Sequence, residues 1–136
     1  MKKHLATVLA ALGIAFVLWF GSGFLLTPQT MASGFGLPDW PTEQGTGFLA
    51  VKGIRDLGLA LILLVLLLTG RRRSLGWAML AAATIPIGDM SLILARHGDT
   101  TTALTVHGLT ALGVLLTAAL LLTEPRGATA AARRAG

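Results

Sequence analysis

Residues 48–69 read FLAVKGIRDLGLALILLVLLLT, an apolar run whose charged residues, Lys52, Arg55 and Asp56, all lie in its first half. A helix rises about 1.5 Å per residue, so about 20 mostly apolar residues cross a hydrocarbon core of roughly 30 Å. A single strand in lipid would leave its backbone groups without hydrogen-bond partners. The run therefore predicts a transmembrane helix that carries ionisable groups near one end.

Three other runs have the same length and composition, and they are residues 5–26, 75–94 and 103–122. The connections at 70–74 and 95–102 are short, which favours antiparallel neighbours in an up-down bundle. We therefore predict an all-α integral membrane protein in which residues 1–123 form one four-helix transmembrane domain.

The composition is that of a membrane protein. Hydrophobic residues make up 54% of the chain and charged residues only 12%, a balance outside that of soluble domains. The net charge is +5, but the basic residues lie in short clusters between apolar runs, so no nucleic-acid partner is predicted. The absence of cysteine excludes disulfides and cysteine-bound metal centres. The expected partner is the lipid bilayer, in a multi-pass protein of a bacterial inner or plasma membrane.

Lysine and arginine are distributed unevenly between the two ends of the predicted bundle. With the N-terminus inside, eight of them face the cytoplasm and three lie towards the outside. The inner group is Lys2, Lys3, Arg71, Arg72, Arg73, Arg126, Arg133 and Arg134, and the outer group is Lys52, Arg55 and Arg96. Because cytoplasmic loops carry the excess of basic residues, both termini are predicted to be cytoplasmic. Residues 124–136 are predicted to be a basic, disordered cytoplasmic tail.

The first run has a rival interpretation as a secretory signal peptide. Lys2 and Lys3 precede it, and Met31-Ala32-Ser33 resembles a weak cleavage site. The run is longer than the core of such a signal, which has roughly 7 to 15 residues, so a membrane span is preferred.

Residues 27–47 differ from the other connections in length and composition. They are rich in glycine and proline, which predicts a long, irregular external loop. Loops of this length are usually functional or disordered. The apolar residues of this loop suggest that it folds over the outer end of the bundle, and they are Met31, Phe35, Leu37 and Trp40.

Ionisable residues within the spans are the most informative for function, because each costs a few kcal/mol at the bilayer centre unless it is paired or hydrated. Counted at about 1.5 Å per residue, Lys52, Asp89 and His107 lie about 6 to 7 Å from the outer ends of their helices. On the same scale Asp56 lies about 12 Å deep. Pro86 removes a helical hydrogen bond, which predicts a bend that aims Asp89 inward. Three helices thus place ionisable groups in one layer.

This layer predicts a small pocket that opens outward or sideways into the outer leaflet, with apolar helices below it and the first loop above it. The pocket would bind or transform a small lipophilic molecule. The candidate catalytic residues, as proton carriers or general acid and base, are Asp56, Asp89 and His107, and the candidate ligand-binding residues are Lys52, Arg55 and Trp40. The sequence leaves open whether the protein is an enzyme and how many copies assemble.

Other interpretations of the same residues remain open. In a structural or partner-binding membrane subunit the layer would be a packing network, with Arg55 paired to Asp89. Lys52 would then pair with Asp56, and His107 would bond a neighbouring carbonyl. An ion or proton pathway needs polar groups along the inner halves of the helices, where almost none occur. No metal or cofactor is predicted, because the histidines near the outer end are ten residues apart and cannot share a helical face.

Several segments, taken together, carry a family resemblance. They are Phe35-Gly36-Leu37-Pro38, VKGIRDL at 51–57, Gly76-Trp77, IPIGD at 85–89 and HGLTA at 107–111. In this order they resemble the family of small four-helix membrane proteins known as domain of unknown function 4267, over roughly residues 5–122. The resemblance implies a bundle of this size with these polar positions as a family feature. It implies no established general activity.

Overall fold

All four predicted runs are helical in the computed structural model, which describes residues 1–125. In chain order the helices are α1 (Lys2–Leu26), α2 (Pro28–Ser33), α3 (Thr46–Leu68), α4 (Arg72–Ala82), α5 (Thr84–Ala95), α6 (Thr100–Thr102) and α7 (Leu109–Leu122). A π-helical segment, Ala103–Gly108, connects α6 directly to α7. Residues 126–136, which make up most of the predicted tail, lie outside the described residues.

Three helical stretches are long and apolar enough to cross a membrane, and they are Lys2–Leu26, Arg72–Ala95 and Thr100–Leu122. These stretches confirm an all-α chain with candidate membrane-spanning helices. Helix α3 has 23 residues and is as long as the others, but Lys52, Arg55 and Asp56 lie in its first half. Its charge, and not its length, distinguishes it from the three apolar stretches.

The first connection is less irregular than predicted. Residues Pro28–Ser33 form α2, and Glu43–Gly45 form a single 3₁₀ turn. The proline content suggested irregular chain, but Pro28 is the first residue of α2, where its fixed φ suits a helix and its missing N–H is not needed. The prediction was therefore wrong for residues 28–33, and the irregular part of the loop is shorter than expected.

Helix α1 packs along α3, and the closest approach is at a pair of glycines. A Cβ atom on Gly53 would lie 2.7 Å from the carbonyl oxygen of Gly21, and one on Gly21 would lie 2.9 Å from the carbonyl oxygen of Gly53. Small residues allow such contact between helices in lipid, where van der Waals packing drives their association. Helix α4 packs along α7, which also contacts α1, while α5 packs against the π-helical segment.

The apolar core consists of two clusters stacked along the bundle. The first is built around Ala10, Leu63, Leu75, Met79 and Leu121, and the second around Phe24, Phe35, Leu49 and Ile93. Phe35 belongs to the first loop, so this loop is part of the second cluster and covers that end of the bundle, as the sequence predicted.

The third run is broken near its middle. Helix α4 ends at Ala82 and α5 begins at Thr84, with Ala83 between them. Pro86 accounts for the break, because it cannot donate a hydrogen bond to the carbonyl of Ala82 and its ring crowds that carbonyl. The Thr84 hydroxyl donates to the Ala81 carbonyl at 2.8 Å. The break therefore lies just before the proline.

Arg72 joins three helices at one end of the bundle, which we call the arginine end. Its guanidinium donates two hydrogen bonds of 2.6 Å to the two carboxylate oxygens of Glu124. It also donates to the Thr7 hydroxyl at 2.9 Å and to the Lys3 carbonyl at 3.1 Å. The start of α1, the start of α4 and the chain after α7 are thus held by one side chain. The sequence suggested only a topological role for this arginine.

Acid is expected to loosen the arginine end. Hydrogen bonds from Arg72 lower the pKa of the Glu124 carboxyl. Because this pKa is lower in the folded than in the unfolded chain, the bond adds stability above the unfolded value of about 4.3 and loses it as the pH falls through the folded value. We expect a loss of about 1 kcal/mol of unfolding free energy.

The measurement is the thermal unfolding midpoint in mild detergent from about pH 6 to about pH 3, for the wild type and Glu124→Gln. The variant should be less stable near neutral pH and should lose less stability in acid. Asp99, whose pKa is lowered by hydrogen bonds from Thr102, contributes equally to both proteins. Parallel acid profiles would contradict the assignment to Glu124.

Candidate functional site

A cavity of about 100 Å³ lies between the helices of the bundle, at the level between the two apolar clusters. Its wall is almost entirely apolar, and four ionisable side chains from three parts of the chain reach it. They are Lys52 and Asp56 from α3, Asp89 from α5 and His107 from the π-helical segment. The layer of ionisable groups predicted from helix depth therefore surrounds one space.

Lys52 is held by a carboxylate and by aromatic rings. Its ammonium donates a hydrogen bond of 2.8 Å to Asp56, one helical turn along α3. The same nitrogen lies 5.0, 4.9 and 5.4 Å from the ring centres of Phe20, Phe24 and Phe35. Rings within about 6 Å of a cation attract it. These contacts offset the cost of keeping an ammonium group away from water.

His107 is buried and joins the site to the first loop. Its Nε2 lies 3.1 Å from the carbonyl oxygen of Phe35, and its ring centre is 4.6 Å from that of Phe35. A carbonyl oxygen can only accept, so Nε2 carries a proton and donates it to this bond. The loop is therefore attached to the site through its main chain as well as through a packed ring.

The other nitrogen of His107 faces a carboxylate. Nδ1 lies 3.8 Å from Oδ2 of Asp89. Because Nε2 donates to the Phe35 carbonyl, Nδ1 is the ring nitrogen that faces the carboxylate. The two atoms are too far apart for a direct hydrogen bond of normal length, so a polar atom that lies to one side of the line joining them can approach both. The arrangement is suited to giving and receiving a proton.

Two backbone irregularities bring these groups to the cavity. The break at Ala83 lies six residues before Asp89, and both Pro86 and Ala82 line the cavity. The carbonyl of Ala82 is the one that Pro86 deprives of its helical donor. On the opposite side, the π-helical segment places His107 inward, and such single turns occur frequently at functional sites.

The cavity reaches the outer surface of the bundle between the helices. Three apolar residues of its wall are also exposed, namely Phe16 at 36%, Ile85 at 43% and Val106 at 39%. Towards the end of the bundle Phe35 is buried against Phe20 and Phe24 and packs on the ring of His107. The opening is thus lateral and apolar.

Two candidate residues lie away from the cavity. Arg55 is exposed on α3 and Trp40 is exposed in the first loop, and neither lines the space. Consecutive residues of a helix point about 100° apart, so Arg55 diverges from Asp56 even though the two are adjacent. Within residues 1–125 the ion pairs do not include one between Arg55 and Asp89, and His107 faces Asp89 instead.

Aromatic residues of α1 belong to the site, a role that was not predicted from the sequence. Phe16, Phe20 and Phe24 recur every four residues and form neighbouring pairs with ring centres 5.7 and 5.2 Å apart. This spacing, which puts side chains on one face of a helix, was the available signal. The contact of Lys52 with Phe20 and Phe24 could be predicted only if the packing of α1 against α3 were already known.

His97, ten residues before His107, and Asp99 lie in the connection between α5 and α6. Asp99 caps α6 by accepting from the amides of Thr101 and Thr102 at 3.2 and 2.9 Å. Among residues 1–125 no group of three histidine, aspartate or glutamate side chains is arranged to hold a metal ion.

The family resemblance predicted from the motifs is confirmed. The model of a family described as "Domain of unknown function (DUF4267)" matches residues 6–121. The match includes every residue that lines the cavity. No curated protein and no solved structure matches the chain.

Proposed function

This chain belongs to the DUF4267 family, and we propose that it binds a small lipophilic molecule in the cavity between its helices. The observation that carries the proposal is the meeting of Lys52, Asp56, Asp89 and His107 at one apolar cavity of about 100 Å³. Ionisable groups in membrane helices are costly, and they mark ligand or proton sites by default. A few polar groups that converge on an apolar space are typical of small-molecule sites.

In this proposal α3 is a fourth membrane span, residues 1–123 form the transmembrane domain and both termini are cytoplasmic. The unequal distribution of lysine and arginine supports this orientation. Two of the three charges of α3 are compensated, because Lys52 and Asp56 neutralise each other at 2.8 Å and aromatic rings surround the ammonium. The protein would thus be a multi-pass component of a bacterial inner or plasma membrane.

The polar groups indicate what kind of molecule fits. Lys52 and Asp56 cancel in charge, which leaves the Asp89 carboxyl group beside the imidazole of His107. A neutral carbonyl or hydroxyl group therefore suits the cavity better than a carboxylate or phosphate. The natural position for it is beside Nδ1 of His107 and Oδ2 of Asp89, within hydrogen-bond distance of both, since these atoms are only 3.8 Å apart.

The volume limits how much of the ligand is enclosed. An apolar cavity of about 150 Å³ holds one benzene molecule, so about 100 Å³ accommodates a small ring or a short chain segment. A larger ligand extends outward past Phe16, Ile85 and Val106, whose exposed side chains face lipid in this orientation. The ligand then enters from the membrane and not from water.

Asp89 and His107 are also placed for chemistry on the bound group. A protonated pair can donate to a carbonyl oxygen, and the deprotonated pair can accept from a hydroxyl. Asp56 forms an ion pair with Lys52, so in this proposal it compensates the lysine charge and does not carry protons. Binding does not require this chemistry, whereas general acid and base catalysis would require the ligand to be bound first.

The alternative is a structural or partner-binding membrane subunit, and one observation favours it. Two of the contacts it requires are present, namely Lys52 with Asp56 and His107 with the Phe35 carbonyl. Among residues 1–125 no buried side-chain nitrogen or oxygen lacks a hydrogen-bond partner. In this version the cluster fixes the first loop to the bundle and the cavity takes up no specific molecule.

Mass spectrometry of molecules that co-purify in mild detergent separates these functions. We expect a lipophilic compound with a carbonyl or hydroxyl group, and we expect Asp89→Asn to reduce its retention at least tenfold because a charge-assisted hydrogen bond is lost. The matched control is Arg55→Gln, a charge change on the exposed face of α3, which should retain the compound.

The binding proposal fails if no compound co-purifies under several extraction conditions, or if Asp89→Asn retains it as well as the wild type does. The structural version predicts a lower unfolding temperature for Asp89→Asn that no extracted compound restores. Size-exclusion chromatography and helical content establish that each variant is folded before either comparison.

A further inference from the structure

We propose that the arginine end of the bundle binds the phosphate group of an anionic phospholipid. A second cavity, of about 410 Å³, lies where α1 and α4 begin and α7 ends. Its basic lining residues are Lys3, Arg71, Arg72 and Arg73. This site lies at the opposite end of the bundle from the loop and does not depend on the proposed ligand cavity.

The charges at this cavity are not balanced. Glu124 is its single acidic residue, and both of its carboxylate oxygens accept from Arg72 at 2.6 Å. Arg71, Arg73 and Lys3 are exposed, and among residues 1–125 none of them forms an ion pair. Three positive charges therefore line a space in which the one carboxylate is already paired with Arg72.

Arg72 acts as the framework of the site and not as its free cation. Its bonds to Glu124, Thr7 and the Lys3 carbonyl fix the relative positions of three helix ends. Arg71 and Arg73 flank it in sequence and keep their guanidinium groups available. A planar guanidinium can give two hydrogen bonds to one phosphate, so two of them can surround a single group.

The position of the site favours a lipid over a free anion. Leu121 and Leu122 form an apolar part of the wall beside the basic residues. Trp77, exposed on α4 little more than one turn after Arg73, is of the type found at the level of lipid headgroups. A phospholipid can place its phosphate among the arginines while its chains run along the apolar helices. Basic cavities between helix ends at the cytoplasmic side are suited to anionic headgroups.

The test uses the full-length protein in nanodiscs of phosphatidylglycerol and phosphatidylcholine with identical acyl chains. Native mass spectrometry then counts the lipids of each kind that remain bound on release. The variant is Arg71→Gln with Arg73→Gln, and the matched control is Lys2→Gln, a charge loss at the same end that does not line the cavity. Losing a guanidinium hydrogen bond to the phosphate costs about 1 kcal/mol, or about fivefold, so the double variant should reduce the preference for phosphatidylglycerol about 25-fold.

The control should change this preference less than twofold. A loss of about fivefold in Lys2→Gln, the same as for each arginine, would mean that only the general surface charge attracts the lipid, and it would overturn the proposal. An unchanged preference in the double variant would do the same. A second arm adds inorganic phosphate to the detergent-solubilised protein, and stabilisation equal to that by phosphatidylglycerol would assign the site to a free anion instead.

Discussion

Gly53→Leu is expected to separate α1 from α3 and to remove most of the folded protein from detergent extracts. A Cβ at this position would lie 2.7 Å from the carbonyl oxygen of Gly21 and 3.1 Å from the Cβ of Phe24, so backbone would have to move. Adding one carbon to a well-packed interior costs about 1 to 3 kcal/mol. A whole leucine side chain costs more, which is enough to cancel the stability of a marginally stable domain.

The matched control for this prediction is Gly58→Leu on the same helix. A Cβ on Gly58 meets no atom within 4 Å, so the same substitution should leave the fold intact. The measurements are the yield of monodisperse protein and its thermal unfolding midpoint. Equal midpoints for the two variants would show that the helices do not meet at Gly21 and Gly53. Because Phe24 contacts this crossing, any surviving Gly53→Leu protein should also have an altered site.

Asp56→Asn is expected to reduce the unfolding free energy by about 3 kcal/mol. Removing one partner of a buried ion pair leaves the other charge uncompensated, at a cost of about 3 to 5 kcal/mol. The lower end of the range applies because the side chain of Lys52 is 29% exposed and that of Asp56 is 13% exposed. The surrounding phenylalanine rings also keep part of the attraction for the ammonium.

The double variant Lys52→Met with Asp56→Leu tests the cause of this loss. Apolar replacement of a whole buried pair is often neutral or stabilising, so the double variant should recover most of the stability lost in Asp56→Asn. Chemical denaturation in mild detergent measures both. If Asp56→Asn is as stable as the wild type, the pair does not compensate a desolvated lysine. If the double variant loses a compound that co-purifies with the wild type, the pair also contacts the ligand; if it retains the compound, the pair does not.

The helices could be predicted from the sequence because each depends on local composition. Runs of about 20 apolar residues and the arginines beside them define α3 and the boundaries around it without reference to the rest of the chain. The same depth argument placed Lys52, Asp89 and His107 in one layer. It needs only the rise per residue and the position of each residue along its helix.

The composition of the site could not be predicted as fully, because it depends on the angle around each helix and on contacts between distant segments. Arg55 and Asp56 have the same depth to within one residue, yet only Asp56 reaches the cavity. The bond between His107 and Phe35 joins residues that are 72 positions apart, and its acceptor is a main-chain oxygen. No side-chain pattern indicates such an acceptor, so the sequence favoured Trp40, although it is Phe35 that packs on His107.

The bond from His107 to the Phe35 carbonyl limits how related sequences can diverge in this loop. The imidazole bonds a main-chain oxygen and not the side chain, so another apolar ring at position 35 would preserve the hydrogen bond. The path itself depends on Gly36, whose φ is +100° and whose carbonyl accepts from the amide of Asp99 at 2.8 Å. A side chain on Gly98 would collide with that same carbonyl. In related sequences we therefore expect the residue at position 35 to vary more than Gly36 and Gly98.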